Sequence, residues 1–240
     1  MPFQSIVHHQ ENTRNPEYNA GQIHGIGVWN AFSLEQVTLE FGNVLENSHI
    51  AAEPILHTPP RPVNPQAAMP ARVHCYVTNQ LSRALRTAFN FFGPNDHPHL
   101  TTVQFDVGSL ARTPRRFTPT LAVFSAAMPD TVRPNRVPGL IKTSAQWSSG
   151  MIKNPLETVH ITTFAKVNFD MRQHQTRYSF ILTDRELVAV RRLDGYGNLE
   201  LSRPVPWTAH GTADHPRMTI LLALWYICLL AADEQGWRLA

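Results

Sequence analysis

A lysine ends a short apolar segment at residues 137–143, and the residue two places before it limits the chemistry of this lysine. On a β-strand, residues two apart lie on the same face, so positions 140 and 142 are neighbours. A carboxylate at position 140 would bind Mg²⁺ through oxygen, while Lys142 would contact a phosphate or the attacking water. Position 140 is leucine, which has no oxygen for a hard cation. The segment keeps the lysine of a metal-dependent site and lacks the metal ligand.

Arginines on the N-terminal side of this segment are candidates for phosphate binding. They are Arg112, Arg115 and Arg116, in one predicted turn, and Arg133 and Arg136, just before the lysine strand. Arginine binds phosphate oxygens through paired N–H donors, so these residues form a predicted binding surface together with Lys142 and Trp147. The alternative is a solvated basic loop without a ligand. Interleaved aromatic residues are few, which argues against a surface that stacks single-stranded bases.

Two acidic residues are candidates for metal ligands displaced to other positions. Asp106 lies on a predicted strand, and Glu157 lies in the first turn of a predicted helix. The alternative for Glu157 is that it complements the partial positive charge of the helix N-terminus. Asp170 and His174, later on the same helix, are acid/base candidates by their expected burial, but nothing pairs them with a nucleophile. A structural role is preferred for both, and we predict no metal or other cofactor.

The second half of the chain predicts a sheet with one inserted helix. Strands are predicted at residues 102–107, 120–125 and 137–143. Residues 178–182 and 187–190 alternate around a short polar turn and predict a hairpin, and residues 199–201 predict another strand. Asn154-Pro155 is predicted to begin the inserted helix. The inner face of this helix is predicted to contain Leu156, Val159, Ile161, Phe164, Val167 and Met171.

The first half predicts two helices separated by a proline-rich loop. Apolar residues recur at helical spacing over residues 28–45, and Thr78 or Asn79 is predicted to cap a second helix. Six prolines within residues 54–70 predict an extended surface loop. Residues 1–22 are polar and without periodicity. We therefore predict a polar leader at residues 1–22, followed by a single α/β domain at residues 23–240.

Composition favours a folded intracellular protein. Apolar residues make up 42% of the 240 residues and charged residues 16%, which argues against general disorder. A formal charge of +3 permits an acidic partner without requiring one. Cys75 and Cys228 are far apart and predict two buried thiols in a reducing compartment. With a polar start that does not resemble a signal peptide, we expect a cytoplasmic or nuclear protein.

The longest apolar run, at residues 218–232, predicts a buried helix. It is shorter than the roughly 20 residues that a membrane crossing requires, so we expect no membrane association. It is apolar around its whole circumference, which indicates burial on most sides. A homodimer interface is the alternative, because a helix without a polar face often needs a partner to cover it.

Two stretches of the sequence together resemble a known family. Residues 137–149 read Val-Pro-Gly-Leu-Ile-Lys-Thr-Ser-Ala-Gln-Trp-Ser-Ser, and residues 177–188 read Arg-Tyr-Ser-Phe-Ile-Leu-Thr-Asp-Arg-Glu-Leu-Val. They resemble a group of fungal proteins with PD-(D/E)XK nuclease-like domains, which show Leu-Pro-Gly-Asp-x-Lys followed by a Ser, a Trp and a Ser pair. Residues 118–122 are similar to the family's Arg-Pro-Asp-Trp-Ala. The resemblance covers residues 24–235 and implies a restriction-endonuclease-like α/β fold, a mixed central sheet flanked by helices.

The resemblance also implies that the family's metal ligands are missing from this chain. The glutamate near the start of the family's first helix falls near Ile26. The first aspartate of the family falls on Thr120, and its second acidic position falls on Leu140. Lys142 alone remains. Without the three carboxylates, we expect no Mg²⁺ binding at this place and no phosphodiester cleavage.

Three functional hypotheses are compatible with these residues. The preferred one is a catalytically inactive nuclease-like fold that binds nucleic acid or a partner protein through its basic residues. The alternative is a small-molecule enzyme of the isomerase or cyclase type, in a fungal biosynthetic pathway, with Lys142 and Trp147 in an apolar cleft. The third is a Mg²⁺-dependent nuclease whose ligands have moved to Asp106 and Glu157.

Overall fold

The computed structural model describes residues 17–48, 68–115, 117–151, 158–212 and 214–239, with the backbone alone for residues 94–96 and 158–160. Over these ranges the chain forms a mixed α/β fold with eight strands and five α-helices. The helices are α1 (Leu34–Asn47), α2 (Met69–Val73), α3 (Asn79–Asp96), α4 (Thr158–His174) and α5 (Ile220–Ala232). The strands are β1 (Gly25–Val28), β2 (Val103–Val107), β3 (Leu121–Ser125), β4 (Gly139–Ile141), β5 (Tyr178–Leu182), β6 (Glu186–Arg192), β7 (Asn198–Leu201) and β8 (Val205–Pro206).

One mixed sheet joins all of these strands. Its order is β1-β7-β6-β5-β4-β3-β2, and β8 pairs with β6 outside this path. Strands β2, β3 and β4 are antiparallel neighbours, β4 and β5 are parallel, and β5, β6 and β7 are antiparallel. Parallel neighbours need a crossover connection, and α4 lies within the crossover from β4 to β5. At one edge, β1 runs parallel to β7.

Helices cover both faces of the sheet. On the first face, α5 packs against α3 and several strands, and the largest core cluster contains Phe105, Ile141 and Phe180. On the second face, α4 packs on β5 and contributes Phe164 and Met171 to a separate cluster. Every residue of β3, β4 and β5 is therefore buried. This two-sided burial explains why these strands are continuous apolar runs in the sequence.

The predicted strands and the last helix are confirmed. Strands β2, β3 and β7 and the hairpin of β5 and β6 lie where the sequence predicted them, and β4 is shorter than its prediction. Helix α5 begins after Thr219, whose side-chain oxygen accepts a hydrogen bond from the Leu222 N–H at 3.2 Å. The inserted helix is described from Thr158 onward. Its predicted start at Asn154-Pro155 lies outside the described residues.

The helix predicted at residues 28–45 is wrong at its beginning. The residues before it form strand β1, and α1 starts at Leu34 after Ser33, whose Oγ caps the first turn at 3.2 Å. Gly25 and Gly27 disfavour helix, and β7 offers a parallel edge with which β1 pairs. Tertiary pairing thus overrides an apolar spacing that resembles a helix.

The second helix begins earlier than predicted. Helix α2, a π-helical turn at His74–Thr78 and α3 follow one another directly, so Thr78 and Asn79 lie within a helical segment and form no cap. Pro70 lies in the first turn of α2, where its missing N–H forfeits no hydrogen bond. Residues 69–70 therefore belong to a helix, while residues 54–67 of the proline-rich loop lie outside the described residues.

Residues 17–22, predicted as part of the polar leader, contact the α/β domain. The Tyr18 ring lies 5.7 Å from the ring of Phe169 on α4, and the Asn168 side chain donates to the Gln22 carbonyl at 3.2 Å. The packed domain thus begins before residue 23. Residues 1–16 lie outside the described residues.

Helix α5 is a core helix, as one of the two interpretations of its sequence predicted. Ten of its 13 residues are buried, and the other three, Leu221, Leu222 and Leu230, pack against the same core cluster. Contacts within one chain cover the helix, so the alternative of a homodimer interface lacks the exposed apolar face that motivated it. Among the described helices, none is long and apolar enough to cross a membrane.

The prediction of two buried thiols is correct for one cysteine and wrong for the other. Cys228 is buried within α5, and Cys75 is exposed on the π-helical turn; both are free. Burial raises the pKa of the Cys228 thiol, which keeps it protonated and unreactive.

Gly139 is a position where the fold is expected to reject any side chain. A Cβ there would lie 2.3 Å from the ring of Phe180, its partner across the parallel pair. Gly139→Ala is expected to lower the free energy of unfolding by about 1–3 kcal/mol, measured by urea denaturation. Gly195→Ala is the control, because a Cβ there meets nothing within 4 Å. Equal losses in the two variants would contradict the packing of β4 on β5.

Candidate functional site

The positions that the resemblance assigns to strands 120–125 and 137–143 lie together at the junction of β3 and β4. Leu121 pairs with Gly139 in antiparallel register. In this antiparallel register, the next pair after Leu121 and Gly139 is Thr120 and Leu140. Lys142 comes two residues after Leu140 and therefore lies on the same face of the sheet. The Lys142 backbone N–H donates to a carbonyl of β5 at 3.1 Å and holds this end of β4 in place. The β3–β4 register thus places Thr120 next to Leu140, and the assignment of these positions to a lost metal site stays a prediction.

Leu140 belongs to the apolar core on the second face of the sheet. It is 8% exposed and lies in the cluster that contains Phe164 and Ile181. Thr120 is half-buried, and its carbonyl accepts a hydrogen bond from the Gly108 N–H at 3.0 Å. Neither side chain offers the carboxylate oxygen that a hard cation prefers.

Ile26 lies far from this junction. It pairs with Leu199 in the edge strand β1, and four strand-to-strand steps separate β1 from β4. Neighbouring strands are about 4.8 Å apart, so the distance from Ile26 to Leu140 is on the order of 20 Å. Position 26 lies in the edge strand β1, eight residues before α1 begins at Leu34, and not at the start of that helix. The structure therefore does not bring it together with Thr120 and Leu140.

The residues after Lys142 hold a loop against the turn between β5 and β6. The Ser144 hydroxyl donates to Asp184 at 3.0 Å, and the Ser149 hydroxyl donates to Glu186 at 2.8 Å. Each carboxylate also accepts the backbone N–H of the same serine. These bonds compensate for removing the buried Asp184 carboxylate from water. Both stretches that carry the family resemblance are thus joined to each other.

Trp147, a predicted binding residue, lies inside the fold. Its side chain is 0% exposed, and its ring meets the Phe164 ring edge-on at 6.1 Å. It lies in the same apolar cluster as Leu140. A ligand at Lys142 would have to open this core before it could contact the indole ring.

Two of the predicted phosphate-binding arginines are engaged within the fold. Arg133 pairs with Asp130 at 3.1 Å, and its guanidinium lies 4.0 Å from the centre of the Phe124 ring. Arg136 is 3% exposed and donates to the Ala231 carbonyl at the end of α5 at 3.1 Å. Both guanidinium groups are buried against protein, which removes them from the surface where a phosphate would bind.

The other two described arginines of this set are exposed. Arg112 and Arg115 lie on the loop between β2 and β3. The Arg112 N–H donates to the carbonyl of Arg133 at 2.9 Å, which sets Arg112 near the entrance of β4. Lys142 follows the opposite end of that strand. The predicted cations are therefore spread over both ends of β4, and Arg116 lies outside the described residues.

Of the two proposed displaced ligands, Asp106 is described and Glu157 is not. Asp106 pairs with Ala122 across β2 and β3, so it lies on the same sheet face as Thr120. Its carboxylate accepts the N–H of the adjacent Val107 at 2.7 Å. Within the described ranges, no group of three His, Cys, Asp or Glu side chains is arranged to hold a metal ion.

The second half of α4 buries an ion pair. Lys166 contacts the Asp170 carboxylate at 2.5 Å, and the Gln173 amide donates to the same carboxylate at 3.2 Å. Asp170 is 2% exposed. Burial raises the pKa of the Asp170 carboxyl to about 6, and the ammonium group of Lys166 acts in the opposite direction. The carboxyl therefore titrates closer to neutral pH than an exposed aspartate does.

His174 ends α4 and is also buried. Burial lowers the pKa of its imidazole to about 4, and the positive charge of Lys166 adds to this effect. The ring is therefore neutral at pH 7. Its side chain is 6% exposed, and within the described residues its Nε2 atom has no hydrogen-bond partner.

A cavity of about 220 Å³ opens beside His174, between the end of α4, the entrance of β4 and the C-terminal segment. We call it the α4 cavity. Its apolar wall includes Pro114, Met128, Val132 and Pro134. Its polar groups include Arg112, Gln173, His174 and Arg238. Like His174 Nε2, the Gln173 Oε1 atom is buried without a partner among the described residues.

Sequence reasoning missed the α4 cavity. It combines segments at residues 112–114, 128–134, 173–175 and 237–238, which no local pattern connects. Gln173 and Arg238 belong to no motif. The available signal was the burial expected of Asp170 and His174 on the central helix.

Comparison of the chain with protein-family models, with curated proteins and with solved structures finds no match. A functional proposal for this chain therefore depends on the residues and geometry described above.

The pKa of Asp170 is raised and that of His174 is lowered, so each residue makes the free energy of unfolding depend on pH. Replacing one residue at a time separates the two contributions. Asp170, with a pKa raised from 3.8 to about 6, stabilises the fold at low pH and loses this effect as pH rises through 6. His174, with a pKa lowered from 6.5 to about 4, stabilises it above pH 6.5 and loses this effect as pH falls. Between pH 4 and 6, the contributions of Asp170 and His174 to the free energy of unfolding change in opposite directions with pH and nearly cancel in the unmodified protein.

We expect Asp170→Asn to lose stability relative to the unmodified protein as pH falls from 6 to 4. His174→Gln is expected to gain stability over the same interval. Each relative change is on the order of 2–3 kcal/mol, because one pKa unit corresponds to about 1.4 kcal/mol. Urea denaturation at half-unit pH intervals measures both, and parallel pH profiles for the three proteins would contradict the assignment.

Proposed function

We propose that this chain is a restriction-endonuclease-like domain that has lost metal-dependent cleavage and binds the phosphate backbone of nucleic acid. One observation carries the proposal: β3 and β4 pair at Leu121 and Gly139, and one residue further in this register Thr120 and Leu140, beside Lys142, stand where the resemblance calls for carboxylates. A hydroxyl and an aliphatic side chain do not replace two carboxylates as Mg²⁺ ligands. Lys142, the residue of the family pattern that this chain retains, is the side chain that we assign to the phosphate contact.

The connectivity of the sheet supports the assignment to a nuclease-like fold. Antiparallel β2, β3 and β4 are followed by α4 and then by β5, which runs parallel to β4. The residue pattern predicts this sheet with one inserted helix, and a mixed sheet flanked by helices is compatible with the fold that the resemblance implies. The hydrogen bonds of Ser144 to Asp184 and of Ser149 to Glu186 add support, because they join the two stretches on which the resemblance rests.

Exposed cations favour nucleic acid over an acidic protein as the partner. Arg112 and Arg115 lie in solvent on the loop that leads to β3, and Lys142 is half-buried beyond the end of β4. Duplex DNA carries one negative charge per about 1.7 Å of its axis. Cations at both ends of a short β-strand can therefore each contact a phosphate of the same duplex. Contacts of this kind give affinity and orientation with little sequence preference.

The geometry gives less support to the other two hypotheses. A small-molecule enzyme built on Lys142 and Trp147 requires an open cleft, whereas Trp147 is completely buried. A nuclease with displaced ligands requires a second carboxylate near Asp106. The nearest position on the neighbouring strand is Ala122, and Asp106 already accepts a backbone N–H.

We expect the logarithm of the affinity for a fluorescein-labelled duplex to fall linearly with the logarithm of the salt concentration. Lys142→Ala and Arg115→Ala should each lower the magnitude of this slope by about one, because each removes one phosphate contact. The loss should be equal for duplexes of unrelated sequence. Fluorescence anisotropy at several salt concentrations measures the slope.

Arg217→Ala is the matched control for these variants. Arg217 is an exposed arginine just before α5, the helix that packs on the opposite face of the sheet. It should leave the slope unchanged. Absence of duplex binding at low salt, or a slope that Lys142→Ala does not alter, would refute backbone recognition and favour a protein partner.

The loss of cleavage is tested separately from binding. We expect the purified protein to leave supercoiled plasmid intact with Mg²⁺ or Mn²⁺, because Thr120 and Leu140 supply no carboxylate. Nicking that disappears in Asp106→Ala and persists in Asp214→Ala, an exposed aspartate on another loop, would instead establish a nuclease with displaced ligands.

A further inference from the structure

Strand β1 leaves one edge of the sheet open. Within the described ranges, β7 is the only strand that pairs with it. The Trp29 N–H, just after β1, donates to the Leu201 carbonyl of β7 at 2.8 Å. Successive residues of a strand turn their backbone groups to opposite sides, so Gly27 faces β7 like Trp29. Ile26 and Val28 therefore direct their N–H and C=O groups away from the sheet.

The opposite edge of the sheet, at β2, is protected in ways that β1 is not. The Gly108 N–H donates to the Thr120 carbonyl at 3.0 Å, so the backbone of the preceding residue, Val107, faces outward. The Asp106 carboxylate accepts this outward Val107 N–H at 2.7 Å, and α3 and α5 pack against β2. Charged side chains and covering helices keep edge strands from pairing with another chain. Strand β1 reads Gly-Ile-Gly-Val and contains neither a charged residue nor a proline.

The backbone of β1 is complementary to a second copy of itself about a two-fold axis. In an antiparallel pairing centred on Gly27, Ile26 lies opposite Val28 of the other copy, and Val28 lies opposite its Ile26. All four residues face outward, so the two pairs exchange four backbone hydrogen bonds. The central pair is Gly27 with Gly27. The Cα atoms of such a pair are about 4.5 Å apart, and glycine has no side chain to obstruct this approach.

The side chains of β1 also fit this pairing. Ile26 is half-buried and packs against the apolar cluster on the second face, whereas Val28 is 59% exposed. Residues two apart in a strand lie on one face, and directly opposite residues of paired strands share that face. The pairing therefore covers Val28 with Ile26 of the other copy and continues the apolar cluster across the axis. Because β1 has no charged side chain, no like charges meet between its residues.

We propose that two copies of this protein pair through β1 and form a homodimer with one continuous sheet, which we call the β1 dimer. An unrelated extended peptide can satisfy the same backbone groups, but a second copy also places glycine opposite glycine and the exposed valine opposite isoleucine. An interface of four residues per copy lies below the roughly 1,200 Å² of a stable complex. We therefore expect a weak dimer whose population depends on protein concentration.

The β1 dimer is independent of the other surfaces of the protein. Helix α5 takes no part in it, because contacts within one chain cover that helix. The dimer does not rest on nucleic-acid binding either, since Lys142 follows β4, four strand-to-strand steps from β1. Either proposal can fail without the other.

Sedimentation velocity of the full chain without nucleic acid measures dimerisation, at protein concentrations from about 1 to 500 µM. We expect the weight-average sedimentation coefficient to rise with concentration. Val28→Lys should raise the dimer Kd at least tenfold, because it removes the apolar contact and places a charge at the edge. Val107→Lys is the matched control, since Val107 is 41% exposed at the end of the opposite edge strand. It should leave the Kd unchanged.

Cysteine crosslinking tests the register of the pairing. Gly27→Cys is introduced together with Cys75→Ser, which removes the exposed native thiol. A Cβ at position 27 lies 3.4 Å from the Glu200 Cγ atom, an ordinary contact that the monomer accepts. In the β1 dimer the two opposing Cβ atoms are about 4.5–5.5 Å apart, which a small adjustment brings within reach of a disulfide. Disulfide dimers should form at least tenfold faster than with Gly195→Cys, an exposed turn position where a Cβ meets nothing within 4 Å.

Three results overturn the β1 dimer: a sedimentation coefficient that does not change with concentration, equal Kd values for Val28→Lys and Val107→Lys, or crosslinking of Gly27→Cys no faster than of Gly195→Cys. Hydrogen exchange of the Ile26 and Val28 amides identifies a different occupant. Slow exchange at the lowest concentration, where the protein is monomeric, means that another segment of the same chain covers the edge, and this also overturns the dimer.

Urea denaturation of Val28→Lys at about 1 µM, where the monomer predominates, checks that the fold is intact. If this variant is destabilised, the crosslinking rates and the concentration dependence of amide exchange in the unmodified protein decide the outcome. In the β1 dimer, exchange of the Ile26 and Val28 amides slows as the concentration rises. Exchange that does not change with concentration overturns it.

Discussion

Strands β4 and β5 run parallel, so the chain between them must cross one face of the sheet before it can return. Helix α4 lies within that crossing and turns the second face into a core, which buries Leu140. The loop that enters the crossing is held by Asp184 and Glu186, each of which binds a serine after Lys142. Lys142 at one end of β4 and the α4 cavity at the other both take their positions from this crossing. A change in the β4–β5 pairing would therefore move both.

Leucine at position 140 changes what this position contributes to the protein. A buried carboxylate is destabilising by several kcal/mol unless a cation or several donors compensate it. A buried leucine side chain stabilises the fold by about 1.5–3 kcal/mol. Leu140 is 8% exposed and shares its apolar cluster with Phe164 and Ile181, so this position suits a buried leucine rather than a carboxylate. Under the proposed function, the protein gains stability at the position where it gives up cleavage, and binding of a phosphate backbone needs no metal.

The sequence predicts those helices and strands whose burial can be inferred from the local spacing of apolar and polar residues. The β5–β6 hairpin alternates around a polar turn, and α5 has no polar face and must be buried. Strand β1 escapes prediction because Gly25 and Gly27 acquire their conformation by pairing with a distant strand. At the candidate site, the resemblance assigns positions 120 and 140 to one place, and the antiparallel register of β3 and β4 is compatible with that assignment. The burial of Arg136 and Trp147 cannot be predicted from the local sequence. Long amphipathic side chains occur both on surfaces and in cores, and their burial depends on packing against helices that are distant in the sequence.

The two ends of β4 present positive charge in different settings. Under the proposed function, Lys142, half-buried beside apolar Leu140, contacts one phosphate of a polyanion whose charges recur along its length. At the other end, Arg112 and Arg238 are exposed and line the α4 cavity, which is partly open to solvent. Their charges add to those that a duplex would meet, whereas the buried imidazole of His174 is neutral at pH 7 and adds none.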